Sequence, residues 1–161
     1  MPLRIDLLAV GEIDHPGLRS ATEEYMRRLG RYARVEYRRA PGEPLPARLS
    51  SAEIDRVRAL EGQRLLRLLS PGAYPVALDP RGRQVSSEDI AAWLNERATG
   101  GDSHIAFLVG GTLGLDPGVL DRCRERWSLS RLTFPHQMVP LIVLEQLYRG
   151  FRILRGEPYH Y

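Results

Sequence analysis

Residues 104–117, HIAFLVGGTLGLDP, constrain the fold more than any other stretch. After His104 the run to Val109 is apolar without alternation, as a strand covered on both faces must be. It passes into Gly110-Gly111 and, after two residues, Gly114. Asp116-Pro117 then reads as an N-cap with proline at the first helical position. A strand buried on both faces needs helices on both sides, and a parallel sheet supplies that arrangement. Adjacent glycines let the chain turn sharply at the carboxyl end of a strand, where such sheets place their ligands. A tight turn alone explains them equally well, and their order is not the G-x-G-x-x-G of dinucleotide sites.

The rest of the chain alternates in the same way. Leu3 to Val10 reads as a first strand, apolar apart from Arg4 and Asp6. Gly17 to Gly30 carries Leu18, Ala21, Tyr25 and Leu29 at helical spacing. Ala33 to Arg39 alternates like an edge strand, and Ala40 to Leu49, APGEPLPARL, is an irregular loop. Ser50 and Glu53 form a possible capping box for a helix running to about Leu69. Tyr74 to Asp79 is a short third strand, ended by Pro80-Arg81-Gly82. Ser86 or Ser87 caps a helix that stops near Gly100-Gly101, and a short strand falls around Trp127 to Leu129. A long last helix repeats Leu141, Leu144, Leu147, Phe151 and Leu154 at three- to four-residue intervals, widened by Ile142 and Val143. So broad a stripe is expected to pack against a second copy of the chain. The expected whole is one α/β domain, residues 1–161.

The composition removes several chemistries. All 23 basic residues are arginine, so a P-loop lysine, a Schiff base and a lysine general base are impossible. One cysteine, Cys123, allows neither an internal disulfide nor a cysteine-based metal cluster, and no metal is expected. No apolar run approaches the roughly 20 residues needed to span a bilayer, and MPLRIDLLAVGEID is too short and too acidic for a signal peptide. A cytoplasmic location is expected. The net charge of +3 gives moderate attraction to polyanions.

Two further segments carry polar chemistry. WSLSRLTFPHQ, Trp127 to Gln137, is a loop of hydroxyls and backbone groups suited to hydrogen-bonding a small ligand, although ordinary loops look similar. Within it, His136 is either a cap for the following helix or a general base. The end, EQLYRGFRILRGEPYHY, pairs Glu145 with Arg149 at i, i+4 and concentrates aromatic, arginine and histidine groups that stack on bases and pair with phosphates.

Together these motifs resemble one family: GGxxGL after a strand, then WSLSRLTFPHQ, then LEQLYRGFRILRGEPYH, with VALDPRG at Val76 to Gly82 and LLAVG at Leu7 to Gly11. The chain is similar to the bacterial ribosomal large-subunit pseudouridine N3-methyltransferases, type H, of the knotted SPOUT superfamily. The resemblance implies an α/β fold with a deep C-terminal trefoil knot, a homodimer, and S-adenosyl-methionine as cofactor. It implies methylation of N3 of a pseudouridine in 23S ribosomal RNA, on assembled ribosomes. Carried over by motif, the cofactor residues are Leu78, Gly110, Leu129, Ser130, Arg131, Leu132, Thr133 and Phe134. Gly110-Gly111 would let the main chain approach the cofactor with no side chain in the way, so Gly110→Val should weaken binding in an intact fold. For the tail we expect Tyr159 to stack on the base, Arg152 to hold a flanking phosphate and His160 to accept the N3 proton. Relatives often have arginine where Pro140 stands, and often end in a basic residue where this chain ends in Tyr161. Two rivals are a non-catalytic RNA-binding assembly factor on the same fold and a dinucleotide oxidoreductase. The WSLSRLTFPH loop opposes the first and the glycine spacing the second.

Overall fold

A computed structural model describes residues 3–159. Five strands, β1 (Leu3–Val10), β2 (Ala33–Ala40), β3 (Tyr74–Gln84), β4 (His104–Val109) and β5 (Glu125–Ser128), form one sheet in the order β2-β1-β4-β3-β5. Every neighbouring pair is parallel. The helices are α1 (Pro16–Leu29), α2 (Ser51–Leu68), α3 (Ser87–Thr99), α4 (Pro117–Arg122) and α5 (Val139–Leu154), with a 3-10 turn at His136–Met138.

Strand alternation divides the core in two. Leu3, Ile5, Leu7 and Ala9 of β1 and Ile105, Phe107 and Val109 of β4 face the layer of α1, α3 and α5. Leu8, Val10, Ala106 and Leu108 point the other way, onto Leu65 of α2 and Val119 of α4. Both faces of the central strands are therefore dry, as the unbroken apolar runs require. Asp6 is the exception, fully buried in β1, and it is paired: its Oδ2 lies 2.6 Å from His104 Nε2 on β4 and its Oδ1 3.4 Å from Arg4 Nε. A carboxylate in this position needs such partners to offset lost hydration.

Helix starts follow the sequence. The Ser50 hydroxyl accepts from Glu53 N–H, one half of the expected box, whereas Ser86 and Asp89 close a complete one. Asp116 caps α4 ahead of Pro117. The broad face of α5 is used within the chain: Val143, Leu144, Leu147, Tyr148 and Phe151 are buried against a core shared with α1 and α3. Of the expected stripe, Val143, Leu144, Leu147 and Phe151 are taken up within the chain, whereas Leu141 and Ile142 are half-buried and Leu154 is exposed.

The expectation that β3 ends at Pro80 needs correction. Leu78 and Arg83 both register with Trp127 of β5, so residues 79–82 leave the ladder as an excursion and the strand then resumes. Asp79 holds the excursion by accepting Arg81 N–H at 3.1 Å. Gly82 permits it, because a Cβ there would lie 2.6 Å from the carbonyl carbon of Arg126 on β5. The excursion packs closely against the β5 backbone at Arg126 and Trp127. β5 itself begins earlier than expected, at Glu125.

Candidate cofactor pocket

Where the carboxyl ends of β3, β4 and β5 converge, a cavity of about 490 Å³ opens. That volume lies within the roughly 300–1,000 Å³ usual for small-molecule sites. Three segments build its walls: Leu78 to Arg81, Val109 to Leu115, and the loop after β5. Arg58 of α2, His136 and Val139 complete them.

The first segment brings Leu78 from a buried strand and Asp79, also nearly buried, whose carboxylate adds negative charge to the wall. The second is the glycine turn. Gly114 donates to the Gly111 carbonyl at 3.0 Å and sits at φ +83°, a conformation costly for any other residue. The space beside Gly110 is filled by the backbone of Gly114, to which a Cβ would come within 2.6 Å. Gly110 therefore lines the cavity as expected, but its missing side chain makes room for the turn to close on itself rather than for a ligand.

The third segment lacks regular structure between Leu129 and Pro135. The Ser128 hydroxyl donates to the Ser130 carbonyl at 3.0 Å, and Ser130 Oγ accepts from Leu132 N–H at 3.0 Å. No turn or loop hydrogen bond closes on the N–H of Arg131, Thr133 or Phe134 among the described residues. Such groups are available to an adenine-like edge. Of the eight residues assigned to cofactor binding, Leu78, Gly110, Leu129, Ser130, Leu132, Thr133 and Phe134 line the cavity; Arg131 does not and is exposed. Leu132 is 72% exposed although it touches the cavity, leaving an apolar group at the surface.

Charge decides what fits. Arg81 is 84% exposed and paired with Asp79, and Arg58 Nε is committed to the Leu113 carbonyl at 2.6 Å. Among the described residues the lining supplies only Arg58 and the Asp79-paired Arg81 as arginine cations, too few to cradle a polyphosphate, whereas a cationic, adenosine-bearing molecule meets backbone donors, apolar walls and a carboxylate. The residues present fit S-adenosyl-methionine.

The tail lies elsewhere. Arg152 Nη1 bonds Glu157 at 2.6 Å and Tyr32 Oη at 3.3 Å, while its Nε donates to the Pro158 carbonyl at 3.0 Å. Tyr159 donates to Glu145 Oε2 at 2.9 Å, beneath the Arg149 guanidinium 3.8 Å from its ring centre. Burial, reinforced by hydrogen bonds with Tyr25 and Glu145, raises the Tyr159 hydroxyl pKa, so it serves as a donor and not as a base. The expected Glu145–Arg149 pair is present at 3.3 Å. Neither Arg152 nor Tyr159 lines the cavity of its own chain. His160 and Tyr161 lie outside the described residues.

His136, expected as a helix cap or a general base, is resolved by its surroundings. His136 begins the 3-10 turn without a side-chain capping bond and faces the cavity instead. Arg58, which was not anticipated, comes from α2, as does Glu61 in an adjoining smaller cavity. The available signal was the spacing of Val57, Glu61 and Leu65, which puts a carboxylate in a buried stripe; all three are buried.

Comparison with known proteins follows this geometry. A family model described as "Predicted SPOUT methyltransferase" matches residues 3–160. The chain is 51% identical over 160 residues to "Ribosomal RNA large subunit methyltransferase H" of Symbiobacterium thermophilum, covering 98% of this chain and 99% of that protein. It is 48% identical to the protein of the same name from Pelotomaculum thermopropionicum, covering 98% of each. Among solved structures, a probable methyltransferase from Bordetella pertussis Tohama I superposes with a TM-score of 0.59 over 92% of this chain and 94% of that one. A putative methylase family protein from Neisseria gonorrhoeae gives 0.53 over 99% and 85%. At 14% identity these two speak for the fold alone.

Proposed function

Because this chain belongs to the SPOUT methyltransferase family, we propose that it methylates N3 of a pseudouridine in 23S ribosomal RNA, using S-adenosyl-methionine on the assembled ribosome. The observation that carries this reading is the convergence of Leu78, Gly110 and the 129–134 loop on one cavity without a phosphate cradle. The relatives' names supply the substrate class.

When bound, S-adenosyl-methionine supplies a methyl carbon made electrophilic by a positively charged sulfur. The chain's own work is then to bind, align and manage one proton. Backbone groups of Leu129 to Phe134 read the adenine edge, Leu78 and Leu129 exclude water, and the Asp79 carboxylate offsets the cofactor's charge. Threading of the 129–134 loop in a trefoil knot belongs to this reading through the family resemblance.

RNA is gripped by the tail. Arg152 holds a flanking phosphate, Tyr159 stacks on the base, and His160 accepts the N3 proton. Since Arg152 and Tyr159 do not line their own chain's cavity, the reading requires a homodimer in which a second copy supplies them. Exposed Leu132, Ile153 and Leu154 offer apolar surface for that contact. No helix among the described residues is long and apolar enough to cross a membrane, and the reading places the enzyme in the cytoplasm with its ribosomes.

Calorimetric titration with S-adenosyl-methionine and with NAD tests the cofactor, and incubation with ribosomes tests the reaction. Binding of S-adenosyl-methionine alone, with methylation of ribosomal RNA, is the expected result. NAD binding would favour an oxidoreductase, and cofactor binding without methylation a non-catalytic assembly factor.

A further inference from the structure

A smaller cavity of about 110 Å³ adjoins the main one and shares Gly111, Thr112, Leu113 and His136 with it. Its distinguishing wall is Glu61. This carboxylate is only 6% exposed. Its Oε2 accepts from Glu43 N–H at 3.0 Å, while its Oε1 is buried with no hydrogen-bond partner among the described residues. Gly111 makes space for it, since a Cβ there would stand 3.1 Å from Oε1.

A half-satisfied buried carboxylate is costly unless a donor, best a cationic one, completes it. One turn along the same helix face stands Arg58, which lines the main cavity. Its Nε is committed to Leu113, but its terminal nitrogens have no partner among the described residues. Glu61 in the annex and Arg58 in the main cavity, three residues apart on α2 with Leu113 in the wall of both, offer one anionic and one cationic partner, as the two charges of an α-amino acid require. Neither an adenine ring nor a ribose has use for both.

We infer that the annex and the adjoining Arg58 wall of the main cavity together recognise the α-amino-acid end of the cofactor, with Glu61 Oε1 accepting from its ammonium and Arg58 donating to its carboxylate. The inference rests on the cofactor reading above and extends it to two binding residues outside the three wall segments. Discrimination follows: adenosyl compounds lacking the amino-acid end bind through the 129–134 loop alone, and those lacking the ammonium leave Glu61 unsatisfied.

Calorimetry with S-adenosyl-homocysteine, its deaminated analogue and 5′-methylthioadenosine tests this. On the unaltered protein the deaminated analogue should bind more weakly than S-adenosyl-homocysteine by on the order of tenfold to a hundredfold, the value of one charge-assisted hydrogen bond. Glu61→Gln should impose a similar loss on S-adenosyl-homocysteine and change 5′-methylthioadenosine less than about twofold, which also reports that the variant is folded. Equal affinity of the unaltered protein for the first two compounds would overturn the assignment, even if Glu61→Gln fails to fold. So would a Glu61→Gln loss shared equally by all ligands. If the unaltered protein binds none of the three, the cofactor reading itself falls and the annex with it.

Discussion

A side chain on Gly110 would place its Cβ 2.6 Å from the carbonyl carbon of Gly114 and 2.9 Å from its oxygen. The contact is backbone, which cannot swing aside. Gly110→Val is therefore expected to strain the turn itself, destabilising the protein by about 1–3 kcal/mol or more, as overpacking does. Thermal unfolding alongside S-adenosyl-methionine titration checks this. A variant of unchanged stability that had lost cofactor affinity would restore the simpler view, in which glycine only clears the ligand's path.

The tail gives a second outcome. Deleting Tyr159 to Tyr161 should abolish methyl transfer and spare cofactor binding, because the cavity walls lie upstream of it. Ribosome methylation, cofactor titration and sedimentation separate the possibilities. Normal methylation by the truncated protein would remove the tail from the reaction. Joint loss of dimer and cofactor affinity would mark it as packing alone, consistent with the contact of Tyr159 with Glu145 and Arg149.

Glu125 predicts an acid sensitivity. Its carboxylate accepts from Tyr74 Oη at 2.6 Å, Trp93 Nε1 at 2.7 Å and Trp127 Nε1 at 3.0 Å, with Arg83 at 3.6 Å. Burial pushes its pKa up, but the hydrogen bonds from Tyr74, Trp127 and Trp93 and the charge of Arg83 outweigh it, and the net shift is downward. A lowered folded pKa means stability that is present above the unfolded value of about 4.3 and is lost as pH falls through the folded one. Glu125→Gln should cost about 1–3 kcal/mol at neutral pH. Denaturant titrations should show that gap closing in acid; an undiminished gap well below pH 4 would contradict the account.

Cys123 should be sluggish toward thiol reagents. Burial pushes its thiol up to about 11, so little thiolate exists at pH 8. Alkylation is expected to be slower than for an exposed cysteine by on the order of a hundredfold, through the thiolate fraction. Ordinary reaction rates in the folded protein would contradict this.

Much of the fold was legible because its signals are local. β1 and β4 were bounded correctly by apolar runs that stop at Gly11 and Gly110, and Asp116-Pro117 marked α4. What escaped depends on chain segments meeting through space. Pro80 looks like a strand end until β5 draws Arg83 back to Trp127. The centre of the α5 stripe is claimed by α1 and α3 together, while Leu154 at its end stays exposed. Seven of the eight residues carried over by motif line the cavity, and the eighth, Arg131, is exposed and outside the lining. Glu61 was missed because a carboxylate in a helix reads as solvated unless its neighbours four residues either side are weighed with it.

Recognition should favour the particle over the bare nucleic acid, since a net charge of +3 gives only moderate long-range attraction. The most direct measurement is therefore mass spectrometry of nucleosides from 23S RNA, taken from ribosomes and from naked RNA after incubation with this protein and S-adenosyl-methionine. The account predicts one added methyl group on N3 of a pseudouridine, formed readily on ribosomes and poorly on naked RNA. A protein that binds the cofactor yet leaves ribosomal pseudouridine unmethylated, or that methylates naked RNA equally well, would contradict it.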